Sequence, residues 1–353
     1  MNIYKNLNLK GEIVDIVSEN GKIKSIGKTD LPGLDFEGKV VRPGLVEIHS
    51  HGGAGVDTMD ADLEALAKFH ARNGVTAFYP TTMTDRLERI KNVCNSDFSG
   101  IEGAKVLGIH LEGPYINPKY KGAQNGDYIR VPDIEEFKDF KNVKLVTIAP
   151  EMENAIEFIK EAGVKVSMGH SDADYDTSIK AIDAGADCVT HTLNAMIPLH
   201  HRNPGIFGAA CDRNIYVQVI SDGLHMHPSV VRMIYRLFGS ERMILISDSI
   251  RATQVSDGIY EFGSQDITVI DGVARTKDGA IAGSTSTLFD CVQCAVKFGI
   301  PEDEAYRMAS ETPARYMGIN KGKIEVGYDC DLLVLTPDNK IDTVIIEGEK
   351  FNN

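Results

Sequence analysis

The sequence predicts an α/β fold, a TIM (β/α)8 barrel combined with a small β-sandwich domain built from both chain termini. The middle of the chain repeats a short apolar run followed by a helical pattern about eight times, which is typical of a parallel barrel. Both ends carry only short strands, too few at either end to bury a core alone. We therefore expect residues 1–42 and 322–353 to form one composite β domain and residues 43–321 to form the barrel domain.

The strands of the expected barrel are apolar runs that end in polar residues. They cover residues 41–49, 75–79, 104–110, 143–149, 164–168, 188–190, 215–220 and 243–246. Glycines such as Gly74, Gly163 and Gly185 follow the intervening helical patterns, as helix C-caps do. Near the amino terminus, Asn20-Gly21 predicts a tight hairpin between two alternating strands. A doubly wound open sheet is the alternative, but no glycine-rich phosphate loop follows the first strand.

Composition and charge restrict the class of protein. The 353 residues carry a formal net charge of -14, which argues against a nucleic acid or an anionic membrane as partner, because either would need a basic face. The amino terminus shows no apolar segment of the signal-peptide type, and the six cysteines are scattered, as in a reducing compartment. We expect a cytoplasmic protein in which Cys291 and Cys294 are buried helical thiols rather than metal ligands.

Polar side chains at the ends of the expected strands predict a metal site. His49 and His51 are separated by one residue at the end of the first strand, so both side chains point to the same face. Glu112, His170 and His191 follow later strands, and the carboxyl ends of barrel strands meet around one pocket. Imidazoles with a carboxylate suit zinc, and also iron, manganese or cobalt. For the first pair alone, incidental histidines in a hairpin are the alternative.

Further polar groups near the strand ends predict catalysis. Asp248 closes the last expected strand, where a carboxylate beside a metal site takes the proton of an attacking water and returns it to a leaving nitrogen. A helix N-cap aspartate is the alternative for this position. Asp222 and His225 follow the preceding strand. His110 lies two residues before Glu112 on the same face, and we expect it to support the ligands or to lie in the core.

Nine short segments that contain these residues carry a resemblance to a known family. In chain order they are residues 43–53, 110–117, 121–123, 169–173, 190–196, 202–205, 222–225, 247–248 and 281–284. With them the sequence resembles the N-acetylglucosamine-6-phosphate deacetylase family of the amidohydrolase superfamily along nearly its whole length. As a set, the segments are far more specific than any one of them.

The resemblance implies a metal-dependent hydrolase that removes the acetyl group from N-acetyl-D-glucosamine 6-phosphate. It implies that the tighter metal ion is held by Glu112, His170 and His191. Family members with two histidines on the first strand hold a second ion, which would use His49 and His51 here. The expected cofactor is therefore one or two divalent ions, zinc before iron, manganese or cobalt.

The resemblance also implies roles in catalysis and substrate binding. Asp248 matches the catalytic aspartate, and His225 is expected to polarise the acetamide carbonyl. The implied substrate contacts are Ala123, Gln124, Asn194, Ala195, Arg202, Asp222, His225, Ile281, Ala282 and Gly283. Arg202 offers a planar fork to a phosphate, with an exposed loop residue as the alternative. Family members are usually homodimers, so we expect a homodimer whose partner subunit helps to close the phosphate pocket.

Two departures from the family pattern bear on the substrate. The family usually has histidine where this sequence has Gln124, and a neutral amide carries no charge toward a phosphate. After the catalytic aspartate, Arg251 stands among residues that are small in the family, either beside the pocket or toward solvent. Both departures keep open a sibling substrate such as N-acetylgalactosamine 6-phosphate. The remaining alternatives are another amidohydrolase chemistry and a non-catalytic binding protein on the same fold.

Overall fold

The computed structural model describes residues 1–352, and it begins with five strands. These are β1 (Asn2–Leu9), β2 (Glu12–Glu19), β3 (Lys22–Gly27), β4 (Leu34–Asp35) and β5 (Val40–Pro43). β1, β2 and β3 pair antiparallel in chain order, and Asn20 and Gly21 both have positive φ at the turn between β2 and β3. This is the tight hairpin that the Asn-Gly pair predicts.

Strands and helices then alternate between residues 45 and 246. They are β6 (Leu45–Ser50), β7 (Gly52–Gly53), β8 (Val56–Asp57), α1 (Leu63–Arg72), β9 (Val75–Pro80), α2 (Leu87–Cys94), β10 (Lys105–Val106), β11 (Ile109–Glu112), α3 (Ile134–Phe137), β12 (Val143–Ile148), α4 (Ala155–Glu161), β13 (Lys165–Met168), α5 (Tyr175–Ala184), β14 (Cys188–Val189), α6 (Gly205–Arg213), β15 (Tyr216–Ile220), α7 (Pro228–Arg242) and β16 (Met243–Ile246). β6, β9 and β10 form one parallel sheet, and β11 to β16 form another in chain order.

The two parallel sheets meet at both of their edges. Thr81 and His110 make a parallel bridge where β9 approaches β11. At the other edge, the N–H of Asp248 donates to the carbonyl oxygen of His49 at 3.0 Å, which joins the end of β16 to the end of β6. The parallel strands therefore form one curled sheet, consistent with the expected (β/α)8 barrel, and their carboxyl ends gather at one face.

Amphipathic helices pack against this sheet, as α1 illustrates. Leu63, Leu66 and Ala67 recur at helical spacing and are buried in the largest apolar cluster of the molecule. Asp62 begins the helix by accepting the N–H of Ala65 at 3.1 Å. The sequence pattern and the cap thus agree on where this helix begins and which face it buries.

Two strands that the sequence predicts as single runs are divided in the structure. The run 41–49 separates at Gly44 into β5 and β6, and a Cβ at Gly44 would lie 2.4 Å from Thr76 Cγ2. The run 104–110 separates into β10 and β11 before Gly108, whose φ is 151°. In the first case the chain crosses from one sheet to another at a residue without a side chain, so Val41 belongs to the terminal sheet.

The rest of the chain adds a small sheet, three helices and the last strands. These elements are β17 (Gly258–Phe262), β18 (Gln265–Ile270), β19 (Val273–Thr276), α8 (Leu288–Lys297), α9 (Glu302–Met308), α10 (Glu311–Met317), β20 (Leu332–Leu335), β21 (Ile341–Ile346) and β22 (Glu349–Lys350). β17, β18 and β19 form a separate antiparallel sheet, which the sequence analysis does not predict.

Both chain ends contribute to one sheet of eight strands. Its order is β22-β21-β20-β5-β1-β2-β3, with β4 beside β1. β5 connects the two ends, since it pairs antiparallel with β20 and in parallel with β1. Leu7, Ile16, Val41 and Leu332 are buried together in an apolar cluster of this sheet. The two-layered β-sandwich expected from the sequence stays a prediction.

Two further features bear on the class of protein. Within residues 1–352, no helix has both the length and the apolar character needed to cross a lipid bilayer. The cysteines are free thiols; Cys291 is buried in α8, and Cys294 is partly buried there. Burial raises the pKa of the Cys291 thiol well above its usual value, which suits a protonated core side chain.

Candidate functional site

Glu112 lies at the centre of a buried cluster of histidines at the carboxyl ends of the parallel strands. It is the last residue of β11, and its side chain is almost completely buried. Its Oε1 lies 3.3 Å from His49 Nε2, 3.3 Å from His170 Nε2 and 3.1 Å from His191 Nε2. Its Oε2 lies 3.1 Å from His51 Nε2. One carboxylate therefore contacts all four histidines.

These side chains form two groups of candidate metal ligands that share Glu112. Within His49, His51 and Glu112, and again within Glu112, His170 and His191, the ligand atoms lie within 4.8 Å of one another. His170 Nε2 and His191 Nε2 are 3.0 Å apart. The buried Nε2 of His49 has no hydrogen-bond partner among the described residues. Imidazole nitrogens converging on a carboxylate are the donors of zinc, iron, manganese and cobalt sites, so these residues fit a divalent cation.

Oxygen atoms behind three of the histidines orient their rings. In each of the three, Nδ1 lies next to an acceptor: Gln218 Oε1 at 2.9 Å from His49, Thr81 O at 3.1 Å from His51, and Tyr120 O at 2.8 Å from His170. Because these oxygens accept, each Nδ1 carries a proton, and each Nε2 presents a lone pair toward Glu112 once it has lost its own proton. This is the tautomer that a metal ligand needs.

The backbone turns sharply where three of the site residues leave their strands. His170, His191 and Asp248 each follow the last residue of a strand by two positions. Their φ values are 49°, 27° and 51°, in the left-handed region that L-residues avoid. Such a conformation costs on the order of 1–3 kcal/mol per residue and is found mainly at functional sites. The strained turn after each strand thus carries these three side chains into the site.

Asp248 contacts the same two histidines, His49 and His51, as Glu112 does. Its Oδ1 is 3.2 Å from His51 Nε2 and 3.4 Å from His49 Nε2. Its carbonyl oxygen accepts the N–H of Ser284 at 2.8 Å, so the residue is held by its backbone on both sides. The helix that follows is capped by Thr287, and the alternative of a helix N-cap at Asp248 is therefore wrong.

Mutual charges set the protonation of this cluster. Burial alone would raise the pKa of Glu112, but the nearby His49, together with hydrogen bonds from His170 and His191, holds it well below its ordinary value. Burial alone would lower the pKa of His51, but its bonds to Asp248 and Glu112 raise it to about 10. Protons and a divalent cation would compete for the same imidazole nitrogens, so the affinity for a cation falls as the pH falls.

A cavity of about 280 Å³ opens onto this cluster. It is lined by the predicted site residues His51, Ala123, Gln124, Glu112, His170, His191, Asn194, Ala195, His225, Asp248, Ile281 and Gly283. It is also lined by Met83, Gly122, Phe262 and Ala280, which the sequence analysis does not assign to the site. The volume suits a small organic molecule rather than a polymer.

The small sheet β17–β19 supplies part of the wall of the cavity. Phe262, at the end of β17, stands edge-on to the ring of His51, with the ring centroids 5.3 Å apart. At the start of β18, Gln265 Nε2 donates to the carbonyl oxygen of Ala123 at 2.6 Å, which fastens this sheet to the loop after β11. The wall of the cavity therefore includes an element outside the barrel repeat.

His225 and Asp222 form a hydrogen-bonded pair beside the cavity. His225 Nδ1 lies 2.7 Å from Asp222 Oδ2, and the N–H groups of Leu224 and His225 both donate to Asp222 Oδ1 at 2.9 Å. Ser284 Oγ donates to Asp222 Oδ2 at 3.0 Å. Burial opposes ionisation, but these bonds and the charge of His225 lower the pKa of Asp222 to about 2. Asp222 does not line the cavity itself; it orients His225, which does.

Comparison with known proteins identifies the group to which these features belong. A sequence description of the amidohydrolase family matches residues 40–350, which is most of the chain. This chain belongs to the amidohydrolase family. The match includes every strand of the curled parallel sheet and every candidate metal ligand.

Individual relatives cover most of this amidohydrolase. The N-acetylglucosamine-6-phosphate deacetylase of Bacillus subtilis (strain 168) is 38% identical over 331 residues, which cover 88% of this chain and 84% of the relative. The N-acetylgalactosamine-6-phosphate deacetylase of Escherichia coli O157:H7 is 34% identical over 349 residues, covering 94% and 92%. A solved structure of a mutant N-acetyl-D-glucosamine-6-phosphate deacetylase from Mycobacterium smegmatis, in complex with N-acetyl-D-glucosamine-6-phosphate, aligns with a TM-score of 0.91, 32% identity and coverage of 99% and 98%.

Besides Asp222, four of the residues considered from the sequence do not line the cavity of this amidohydrolase. Arg202 is exposed, with Nη1 2.7 Å from His201 Nε2, and it borders a separate surface cavity. His49 and Ala282 are completely buried beside cavity-lining residues. Arg251 Nη2 lies 3.0 Å from Asp60 Oδ1, so its guanidinium faces an acidic loop. The structure thus assembles the metal, base and sugar-side candidates, and it leaves Arg202 outside.

Two buried residues support the site of this amidohydrolase from behind. His110 Nε2 lies 2.8 Å from Thr147 Oγ1, and its ring stands edge-on to that of His49 with the centroids 4.7 Å apart. It lies outside both candidate ligand groups, as expected from the sequence. Glu47 was not predicted: its Oε1 accepts the N–H of His49 and its Oε2 accepts the N–H of Ser247, both at 3.0 Å. Its place two residues before His49, on the same strand face, is the signal in the sequence that indicates it.

Proposed function

We propose that this amidohydrolase hydrolyses the acetamide of N-acetyl-D-glucosamine 6-phosphate to give glucosamine 6-phosphate and acetate. The observation that carries the proposal is the convergence of Glu112, four histidines and Asp248 in one buried cluster beside a small cavity. Relatives that are more than 30% identical over most of the chain have this activity in their names, which supports the same substrate class. The reaction is amide hydrolysis by water, and it belongs to amino-sugar metabolism.

We propose that Glu112, His170 and His191 hold one divalent ion and that His49 and His51 hold a second with Glu112. Zinc is the first candidate, and iron, manganese and cobalt are the alternatives, because nitrogen and carboxylate donors suit all four. When bound, such an ion polarises a carbonyl oxygen and lowers the pKa of water. The orientation of the rings by Nδ1–H bonds is the feature of this chain that supports the assignment.

The side chains of this enzyme handle the protons of the proposed reaction. Burial would raise the pKa of Asp248, but the nearby His49 and His51 lower it, so this carboxylate is ionised. It accepts the proton of the attacking water. It then delivers that proton to the amine nitrogen as the acetyl carbon–nitrogen bond breaks. His225, whose bond to Asp222 outweighs burial and raises its pKa, keeps a second ring proton on Nε2. This Nε2–H donates a hydrogen bond to the carbonyl oxygen, where negative charge develops, and keeps its proton.

We propose that the phosphate is bound at the outer end of the cavity, with help from a second copy of the chain. Asn194, Ala195 and the 281–283 segment line the cavity, but the guanidinium of Arg202 is exposed and away from the cavity of its own chain. In a homodimer this residue is free to serve the neighbouring subunit, since a guanidinium pairs with phosphate through two parallel hydrogen bonds. Light scattering of the purified protein gives the oligomeric state.

The experiment that tests the function compares three substrates on protein loaded with zinc. Acetate release is measured from N-acetylglucosamine 6-phosphate, from N-acetylgalactosamine 6-phosphate and from unphosphorylated N-acetylglucosamine. We expect the highest kcat/KM for N-acetylglucosamine 6-phosphate and a large loss without the phosphate. The Arg202→Ala variant should raise KM for the phosphorylated sugars and leave the unphosphorylated one unchanged. Absence of acetate release from all three sugars would refute the proposal.

N-acetylgalactosamine 6-phosphate is the second candidate substrate. It is favoured by the relative of that name at 34% identity and by Gln124, which replaces the usual family histidine at the cavity. A higher kcat/KM for this sugar than for its epimer would make it the substrate.

We also propose that residues 1–42 and 322–353 form a separate small β-sandwich domain beside a TIM-barrel domain of residues 43–321. The cytoplasmic location stays a prediction from the sequence.

A further inference from the structure

We infer that Gln124 is a positioning residue that fixes the carboxylate shared by the two candidate metal groups. The inference rests on the proposed metal-dependent function. Gln124 is 2% exposed, and its Nε2 donates to Glu112 Oε2 at 2.8 Å. Its Oε1 accepts the backbone N–H of Thr84 at 2.7 Å. The side chain therefore connects the loop after β9 to the end of β11.

The partners of Gln124 leave only one orientation for its amide. A backbone N–H can only donate, so the atom that faces Thr84 is the oxygen. The NH2 group then faces Glu112, whose ionised carboxylate can only accept. A hydrogen bond to an ionised group is stronger than one between neutral groups, and burial prevents water from replacing it. Thr84 packs closely against Gly113 after β11, since a Cβ at Gly113 would lie 2.0 Å from Thr84 Oγ1.

This bond determines which oxygen of Glu112 faces which histidines. Oε2 is held between Gln124 and His51, at 2.8 Å and 3.1 Å. Oε1 is thereby left to His170 and His191, which lie 3.3 Å and 3.1 Å away. Without the bond to Gln124, only the imidazoles would hold the carboxylate group in this orientation. Gln124 therefore preorganises a ligand that both candidate ions would use.

Glutamine also suits this place on electrostatic grounds. Four imidazoles already surround Glu112. A fifth imidazole at position 124, when protonated, would repel a bound cation, whereas an amide keeps its donor at every pH without any charge. An uncharged donor at position 124 therefore suits a carboxylate that is shared between two candidate cation sites.

The test replaces Gln124 with methionine, which is similar in length and makes neither hydrogen bond. Hydrogen bonds that orient metal ligands typically contribute about 10–100-fold to affinity, so Gln124→Met should bind zinc about 10–100-fold more weakly in competition with a chelator. Gln293→Met is the matched control. Gln293 likewise uses both ends of its amide, donating to Tyr306 Oη at 3.2 Å and accepting from Asn339 at 2.9 Å, but it lies in α8 outside the site. Its zinc affinity should equal that of the wild type.

Two results would overturn the inference. Unchanged zinc affinity in Gln124→Met would do so, and a raised KM at saturating zinc would then make Gln124 a substrate contact. Thermal unfolding of the metal-free proteins shows whether the variant folds. If it does not, Gln124→Asn replaces it, because the shorter amide cannot reach Thr84 and Glu112 together and should lose the same affinity; an unchanged affinity there refutes the inference. A wild type that binds zinc but deacetylates no sugar refutes the proposed function alone, since the zinc comparison remains valid.

Discussion

Replacing Asp248 with asparagine should remove the proton acceptor of the reaction and leave the metal ligands in place. The aspartate Oδ1 lies 3.2 Å from His51 Nε2 and 3.4 Å from His49 Nε2, and the side chain has the same shape as asparagine. An amide cannot accept the proton of water. A positioned general base typically contributes about 100–10,000-fold, and each tenfold is about 1.4 kcal/mol of barrier. We therefore expect kcat to fall by that factor, which is about 3–5 kcal/mol, with KM little changed.

The assay for this variant measures acetate release and metal content on the same preparation. Zinc per chain, determined by mass spectrometry of the metal, should equal that of the wild type, because Asp248 belongs to neither candidate ligand group. Asp266→Asn is the control, since this aspartate is exposed on β18. A kcat within tenfold of the wild type, with zinc retained, would exclude Asp248 as the base.

Three further predictions follow from the geometry. His225→Asn should lower kcat about 100-fold or more, because it removes a donor to the developing oxyanion; kinetics on zinc-loaded protein measure this, and an unchanged kcat contradicts the role. Burial lowers the pKa of His70 to about 3, whereas its pKa in the unfolded chain is about 6.5. Between these two pH values the unfolded chain binds one more proton, so the free energy of unfolding falls by about 1.4 kcal/mol for each pH unit toward 3. Urea unfolding at several pH values should show this slope, and His70→Leu should remove it; an equal slope in both proteins would refute the assignment. Gly113→Ala, with φ 71° and a Cβ 2.0 Å from Thr84 Oγ1, should cost about 2–5 kcal/mol of unfolding free energy. Gly11→Ala, with φ 91° and open space around it, should cost only about 1–2 kcal/mol, and equal losses would rule out the clash.

The barrel strands are predictable because strands buried on both faces give continuous apolar runs. The last run, 243–246, coincides with β16, and the run 143–149 differs from β12 by one residue. The breaks at Gly44 and Gly108 are not predictable from apolarity, because they reflect how closely another part of the chain approaches. The sheet β17–β19 escapes prediction for a different reason, since it is an insertion after the eighth strand and has no counterpart in the repeated unit.

The candidate ligands are predictable because their positions follow from strand geometry. His49 and His51 are separated by one residue at the end of β6, so their side chains point to the same face. His170, His191 and Asp248 each follow a strand end by two residues. Residues on loops are different, because their side chains are placed by tertiary contacts that local sequence does not contain. Arg202 lies on the long connection between β14 and α6, and the bond between Gln124 and Glu112 spans a loop of irregular structure.

The bridge made by Glu47 has a consequence for how this enzyme comes into being. The Glu47 carboxylate accepts the N–H of His49 on the first parallel strand and the N–H of Ser247 at the end of the last, and Ser247 lies 200 residues after Glu47 in the chain. The imidazole pair and the proton acceptor Asp248 therefore reach each other only when the eighth strand docks against the first. A chain in which the last strand has not docked can still bring Glu112, His170 and His191 together within the sheet β11 to β16, but it lacks the contacts of Asp248 with His49 and His51. The arrangement of the histidine pair and its proton acceptor is therefore complete only when the ring of strands has closed.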